Sequence, residues 1–546
     1  MTTVDSMLHT LDSSSPRAQQ TWTTGNVAEA FPGVFSTLGL GFVFRPMELA
    51  FRRMFYDLGV YSANEVEVPA RIQDCFWSVF DGWGAGNIDK FRDIANRMPG
   101  TSASAVEQQL FGYARPETVD ANTIRRYPFI IAKAPRWLIR TPRRHDAMFA
   151  GLRTWRRGVI DRIPEMNERD CAATLADAQA RFEDVMSIHM GVAMVSSSLA
   201  EKVADMARKA GHTGLETALL SGVGSDENEV AHDLWALAHD EISLGEFNGR
   251  HGYHGPNEGQ LSGVTWREDP TPVLARLADY RLISADSPRA PRRRGANQQD
   301  TREDALRRLL SASPRAKRPA AQVLVRTAAR YLALREQGKA GYLITMDVAR
   351  AAARRMGEIL AVRGVIDEPE HIFHLGYDMV LAGVNTDQRE MVAKRIAKYT
   401  ARQAIRLPKS WSGQPVPIVV DDQERQQLLA GHTLSGVAAS GGVAEGRARV
   451  VRDPDGVELE DGDILICETT DPAWVPLFLV AGGVVTDHGG LLSHGPIVAR
   501  ELGIPCVCGT EDGSRRIADG QLVRVDGDRG VVTALSPAVK SAASVD

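Results

Sequence analysis

The sequence predicts a multidomain α plus α/β protein, in which a large, mostly α-helical domain precedes a small β/α domain. Three observations carry that expectation. Long stretches before residue 405 space apolar residues three and four apart, with charges between them. From Gly436 the pattern changes to short runs of small and β-branched residues broken by glycines. At 546 residues the chain holds material for two or three domains with sizeable cores.

The helical elements are expected over Phe44–Leu58, Ala172–Ala210 and Ala320–Arg363. Gly436–Val451 reads as strands joined by tight turns, Asp463–Cys467 as a short buried strand and Leu522–Asp526 as another. Asp519, Gly520 and Asp526 suit turns better than ligand sites. The resulting division is a disordered tail over 1–20, a helical domain over 21–405, a Pro-bearing linker over 406–431, the small domain over 432–536 and a tail over 537–546.

Composition bounds the function. A net charge of −5 with 24% charged residues implies neither a nucleic-acid nor a membrane partner. The Arg-rich stretch 289–318 is interleaved with Asp300, Glu303 and Asp304 and reads as a solvated face. Five cysteines show no disulfide framework, and Cys506 and Cys508 read as buried free thiols. The first twenty residues are polar, so a cytoplasmic location is expected. His189, between Met186 and Met190, reads as a core histidine.

The richest segment is Thr486–Gly509, TDHGGLLSHGPIVARELGIPCVCG. Gly489 and Gly490 lead into Ser493-His494, and a helix-compatible run ends in Arg500-Glu501. Glycines let backbone approach a phosphate, and a helix N-terminus stabilises anions through its free N–H groups. A histidine there is a candidate nucleophile that is neutral near pH 7. The segment resembles the phosphohistidine (mobile) domain of the phosphoenolpyruvate-utilising enzymes, whose pattern lands on Thr486, Gly489, Gly490, Ser493, His494, Ile497, Ala499, Arg500, Glu501, Gly503, Ile504 and Pro505. The resemblance implies that His494 is phosphorylated. It further implies Ser493 and Arg500 as catalytic companions and Gly489, Gly490 and Thr486 as phosphate-binding positions. Two positions depart from the pattern. Leu492 points toward the rifampin-phosphotransferase branch, and Pro496 is tolerated in a first helical turn.

Two earlier pieces resemble that branch's acceptor domain. In Trp22–Pro32, Asn26 and Glu29 sit three apart and are candidate substrate contacts, with N-capping an equal reading of Asn26. Phe247–Pro270 is rich in glycine and reads as a loop gathering Arg250, His251, His254 and Glu258. Arg250 would bind phosphate, His251 substrate, and His254 or Glu258 would serve as the base for an acceptor hydroxyl. Tyr253, His254 and Gln260 depart from the family pattern there. His371–Met379 resembles a strand-like segment of the family.

The resemblance implies a phosphotransferase component that delivers a phosphoryl group from His494 to a small organic acceptor. Space for an ATP-grasp domain is missing from the pattern, so an ATP-grasp donor protein in trans is expected. Magnesium with ATP, or phosphoenolpyruvate, would then be used through that partner, and no cofactor or metal is assigned to this chain. Two other outcomes stay open: a non-catalytic binding protein, and a lyase or dehydratase acting through a transient phosphoryl group.

Overall fold

The computed structural model describes residues 20–537 except 100–101, 105–106, 108–119, 213–214, 221–222, 224–225, 282–283, 286–289, 420–426, 453, 455–456, 458, 471–473 and 490–493. The two tails expected from the sequence lie almost wholly outside these residues. The helices used below are α1 (Gly25–Ala30), α2 (Thr37–Asp57), α3 (Tyr127–Ile160), α4 (Glu168–Lys209), α5 (Asp226–Ala238), α6 (Leu244–His251), α7 (Arg318–Val362), α8 (Val475–Val480), α9 (His494–Leu502) and α10 (Gly513–Arg516). The strands are β1 (Thr21–Thr23), β2 (Trp77–Phe80), β3 (Trp83–Asn87), β4 (Ser410–Ser412), β5 (Thr433–Ser435), β6 (Val437–Ser440), β7 (Val443–Val450), β8 (Ile464–Cys467), β9 (Gly483–Thr486), β10 (Cys506–Cys508), β11 (Leu522–Asp526) and β12 (Val531–Ala534). The chain forms two compact units. One takes the described residues within Met1–Ala193, Asn257–Gly263 and Gln337–Val420, the other those within Met194–Pro256, Val264–Glu336 and Asp421–Asp546.

In the first unit, helices surround a small antiparallel sheet of order β2-β3-β1-β4. Ser36 caps α2 by accepting the Gly39 N–H at 3.2 Å, and apolar positions such as Leu38, Phe42 and Met54 then turn inward. Along α7 beyond residue 337 small and apolar residues bury nearly every face, so its polar groups need partners. Asp347, fully buried, receives the Arg156 Nε–H at 2.8 Å. His189 packs edge-on to Tyr342 with ring centres 5.6 Å apart, the core role its sequence position suggested.

Strand β4 lies inside the stretch read as a linker. Trp411 pairs with Trp22 of β1, and both rings meet Phe80, at 5.1 and 5.2 Å between centres. Burying two indoles outweighs leaving the segment free, and further on Ile418–Val419 pairs with Ile405–Arg406, so ordered pairing runs well into the stretch read as a linker. The segment from His371 also differs from its strand-like reading. Pro369–His374 forms a 3₁₀ turn and Tyr377–Ala382 a helix, because Pro369 fixes a helical φ at the first position.

In the second unit, residues 433–534 build an eight-stranded sheet of order β5-β12-β11-β7-β8-β9-β10-β6. Its centre, β7 to β10, is parallel, and the flanking pairs are antiparallel. β8 is buried at every residue, yet alternate side chains enter different cores: Leu465 and Cys467 face Trp474, Phe478 and Val498, whereas Ile464 and Ile466 face Val523, Val525 and Val532. α8 and α9 cover the first face, and the C-terminal strands cover the other. Cys506 and Cys508 are buried free thiols as expected, and burial pushes the Cys506 thiol well above its ordinary value. Asp526 accepts the Arg529 N–H three residues on, a turn role, whereas Asp519 accepts the Val450 N–H at the end of β7.

Trp22→Ala is expected to cost about 3–5 kcal/mol, read as a lower urea midpoint of the first unit. An unchanged midpoint would mean that the indole does not tie β4 to β1.

Candidate functional site

β8 and β9 end side by side at Cys467 and Thr486, and the chain continuing from β9 carries the glycine pair. Its first residue, Asp487, is 2% exposed. The Asp487 N–H donates to the Cys467 carbonyl at 3.1 Å, and its own carbonyl accepts the Glu511 N–H at 3.0 Å. Its carboxylate accepts the Thr510 hydroxyl at 3.0 Å and the Ser514 N–H at 2.9 Å, and also bonds the Ser514 hydroxyl. Asp487 thus satisfies otherwise orphaned donors at the start of α10 while fixing the root of the loop. The next N–H, from His488, donates to the Glu468 carbonyl at 2.9 Å, and the His488 ring meets the Glu468 carboxylate at 3.2 Å.

Gly489 follows at φ +117°, a conformation that L side chains rarely adopt. Gly490 and Ser493 lie outside the described residues. His494 opens α9, so the backbone places this residue at the helix N-terminus, with Pro496 tolerated in the first turn. The Thr486 hydroxyl donates to the His488 carbonyl at 2.9 Å, so it shapes the loop. Arg500 sits six residues along α9, about 9 Å of helical rise from His494, and its Nε–H donates to the Pro496 carbonyl at 3.0 Å. The structure therefore places Arg500 at the opposite end of α9 from His494.

The second unit also holds part of the histidine-rich segment. Arg250 and His251 are on α6, which corrects the loop reading. Ser243 and Glu246 form a reciprocal cap, and Phe247 is fully buried, which together outweigh the cost of Gly245 and Gly249 in a helix of eight residues. Asp233 of α5 joins the two: its Oδ2 lies 2.8 Å from His251 Nε2 and 3.0 Å from Arg250 Nη1. Burial pushes the Asp233 carboxyl up, but hydrogen bonds and charge from His251 and Arg250 outweigh it and hold the group well below its ordinary 3.8. His251 is 1% exposed, which removes it from direct solvent contact. His254, equally buried, packs between Tyr253 at 4.3 Å and Trp266 at 5.4 Å. The same helix α5 meets the small domain, for Ala231 joins its core with Trp474 and Leu477, and Leu479 joins Leu234 and Trp235.

Glu258 belongs to the first unit. Arg350 of α7, fully buried, donates to the carbonyls of Glu258, Gln260 and Leu261 at 3.2, 2.8 and 3.2 Å. Lys339, about three turns earlier on α7, lies 3.3 Å from the Glu258 carboxylate. The Gln260 amide donates to the Pro32 carbonyl at 2.5 Å, and a Cβ at Gly259 would come within 2.1 Å of the Ala30 oxygen. The two segments singled out in the sequence thus meet here, as backbone, at the end of α1. Asn26 and Glu29 lie on α1, and their side chains are outside the described residues.

Sequence reasoning missed Asp233, Lys339, Arg350, Thr510 and Ser514, each of which acts across a long sequence separation. Asp487 was visible inside TDHGG but carried no pattern of its own. Among the described residues no group of three or more His, Cys, Asp or Glu is placed to hold a metal ion.

Comparison with known proteins agrees with this geometry. Residues 459–530 match the mobile domain of phosphoenolpyruvate-utilising enzymes. Residues 168–336 match the fourth domain of rifampicin phosphotransferase. The chain therefore carries a segment of the phosphoenolpyruvate-utilising mobile-domain type behind a helical region of the rifampicin phosphotransferase type. The rifampicin phosphotransferase of Bacillus subtilis is 38% identical over 200 residues, covering 36% of this chain and 23% of that protein. That of Streptomyces sviceus is 33% identical over 300 residues, covering 53% and 33%. Chondramide synthase cmdD of Chondromyces crocatus is 35% identical over 300 residues, covering 50% of this chain and 8% of that protein. The chain thus spans a third or less of each of these relatives.

Asp233→Asn is expected to destabilise the second unit by about 2 kcal/mol at pH 7. Because the folded carboxyl lies below 3.8, its contribution is present above that pH and is lost as pH falls through the lower folded value. The difference in melting temperature between variant and parent should shrink toward pH 3, and a constant difference would contradict the assignment.

Proposed function

We propose that the chain is a phosphotransferase component that carries a phosphoryl group on His494 and passes it to a small organic acceptor. The observation that supports this most is the placement of His494 at the N-terminus of α9, five residues after Gly489 at positive φ and seven after Asp487, which roots the segment. The names of the rifampicin phosphotransferase relatives support the same class of reaction.

In the loading step an imidazole nitrogen of His494 attacks phosphorus. The N–P bond forms as the bond to the donor's leaving oxygen breaks. Free N–H groups and the dipole of α9 offset the added negative charge. In the delivery step an acceptor hydroxyl oxygen attacks the same phosphorus, the N–P bond breaks, and the hydroxyl proton passes to a general base. Glu258, whose backbone carbonyl accepts from Arg350 and whose carboxylate lies beside Lys339, is the base we assign.

The donor is an ATP-grasp protein in trans. Magnesium and nucleotide chemistry belong to the partner in this reading.

The chain incubated with γ-labelled ATP and lysate of its source should take up acid-labile, base-stable phosphate, and His494→Ala should take up less than about 1% of it. Equal labelling of both proteins would sink the proposal.

A further inference from the structure

The N-terminal half of α3 is a surface that the phosphoryl relay does not use. Between Ala121 and His145 the sequence carries Arg125, Arg126, Lys133, Arg136, Arg140, Arg143 and Arg144 and no Asp or Glu. The helix is anchored along one arc: Ile130, Thr141 and His145 are buried, and the Trp137 ring lies so near Gly191 that a Cβ there would come within 2.5 Å of it. Arg126 and Lys133 reinforce that anchor, donating to the carbonyls of Gly59, Tyr61 and Tyr56.

The opposite arc faces solvent in two stripes. Ile131, Pro135 and Ile139 recur every four residues, and the two isoleucines are 68% and 76% exposed. Beside them Arg136, Arg140, Arg143 and Arg144 follow the same helical spacing, and all four are exposed. Among the described residues these four guanidiniums make no ion pair or hydrogen bond. Exposed isoleucines aligned beside unpaired arginines are a costly surface in water, and the arrangement matches a layer that offers anionic groups next to hydrocarbon.

We propose that this face of α3 is a docking surface for an anionic lipid membrane. From Ile131 to Arg144 the stripes run about 20 Å, long enough for the helix to lie along the headgroup layer. The mild net charge of the whole chain does not oppose this, because attraction to a charged bilayer is set by cations within a Debye length of it. No described helix is long and apolar enough to cross a membrane, so the contact is peripheral. A nucleic acid fits less well, for the apolar stripe holds isoleucine and proline where stacking would need aromatic rings.

The test is co-sedimentation of the full chain with phosphatidylcholine vesicles, with and without one quarter phosphatidylglycerol. The chain should pellet with the anionic vesicles, not with the neutral ones, and release as salt rises. Arg136→Gln/Arg140→Gln and Ile131→Ser/Ile139→Ser should each weaken partitioning about tenfold or more. If either double variant loses its native melting transition, Arg143→Gln or Ile139→Ser alone carries the same comparison. No pelleting with anionic vesicles would overturn the proposal, as would pelleting that neither pair affects. Loss with the arginine pair alone, together with equally tight binding to a DNA duplex, would assign the face to a nucleic acid instead.

Discussion

The small domain depends on how Asp487 is held. Parallel strands leave their C-terminal ends with loops that have no partner of their own. Here the first residue beyond β9 is a buried carboxylate that binds backbone and hydroxyl groups of two later segments. A charge at 2% exposure is tolerated only with such compensation. The result is a rigid root for a glycine loop whose next feature is the N-terminus of α9.

The helical region follows the same rule with different residues. Arg350 fixes the backbone of the Glu258 segment through three carbonyls, and Asp233 fixes Arg250 and His251. In each case one ionic group, fully buried in Arg350 and partly buried in Asp233, orders a short segment that carries further polar side chains. Removing such a group leaves several donors or acceptors unsatisfied at once, which is why the segments behave as units.

Much of this was legible in the sequence, and the reasons are local. ILIC alternates between two cores, so its strand character needed only a few neighbours to read. Three- and four-residue spacing marked α2, α4 and α7, and the glycine-histidine segment marked α9. The misread parts were decided by contacts distant in sequence or by caps. The glycines of Phe247–Pro270 suggested a loop, but the Ser243–Glu246 cap and buried Phe247 make a helix of its first part. The prolines before residue 417 suggested a free linker, but Trp411 finds Trp22 across most of the chain. No pattern around Lys339 or Asp233 announces its partner, because the partner is set by tertiary packing.

The central claim is that the Asp487 root presents His494 for phosphorylation, and the rate of phosphate uptake by an Asp487→Ala chain tests it most directly. With a competent donor in excess, the account predicts uptake at His494 slowed at least about tenfold while the helical content stays native. Uptake at the native rate would contradict it, because the loop would then need no such root.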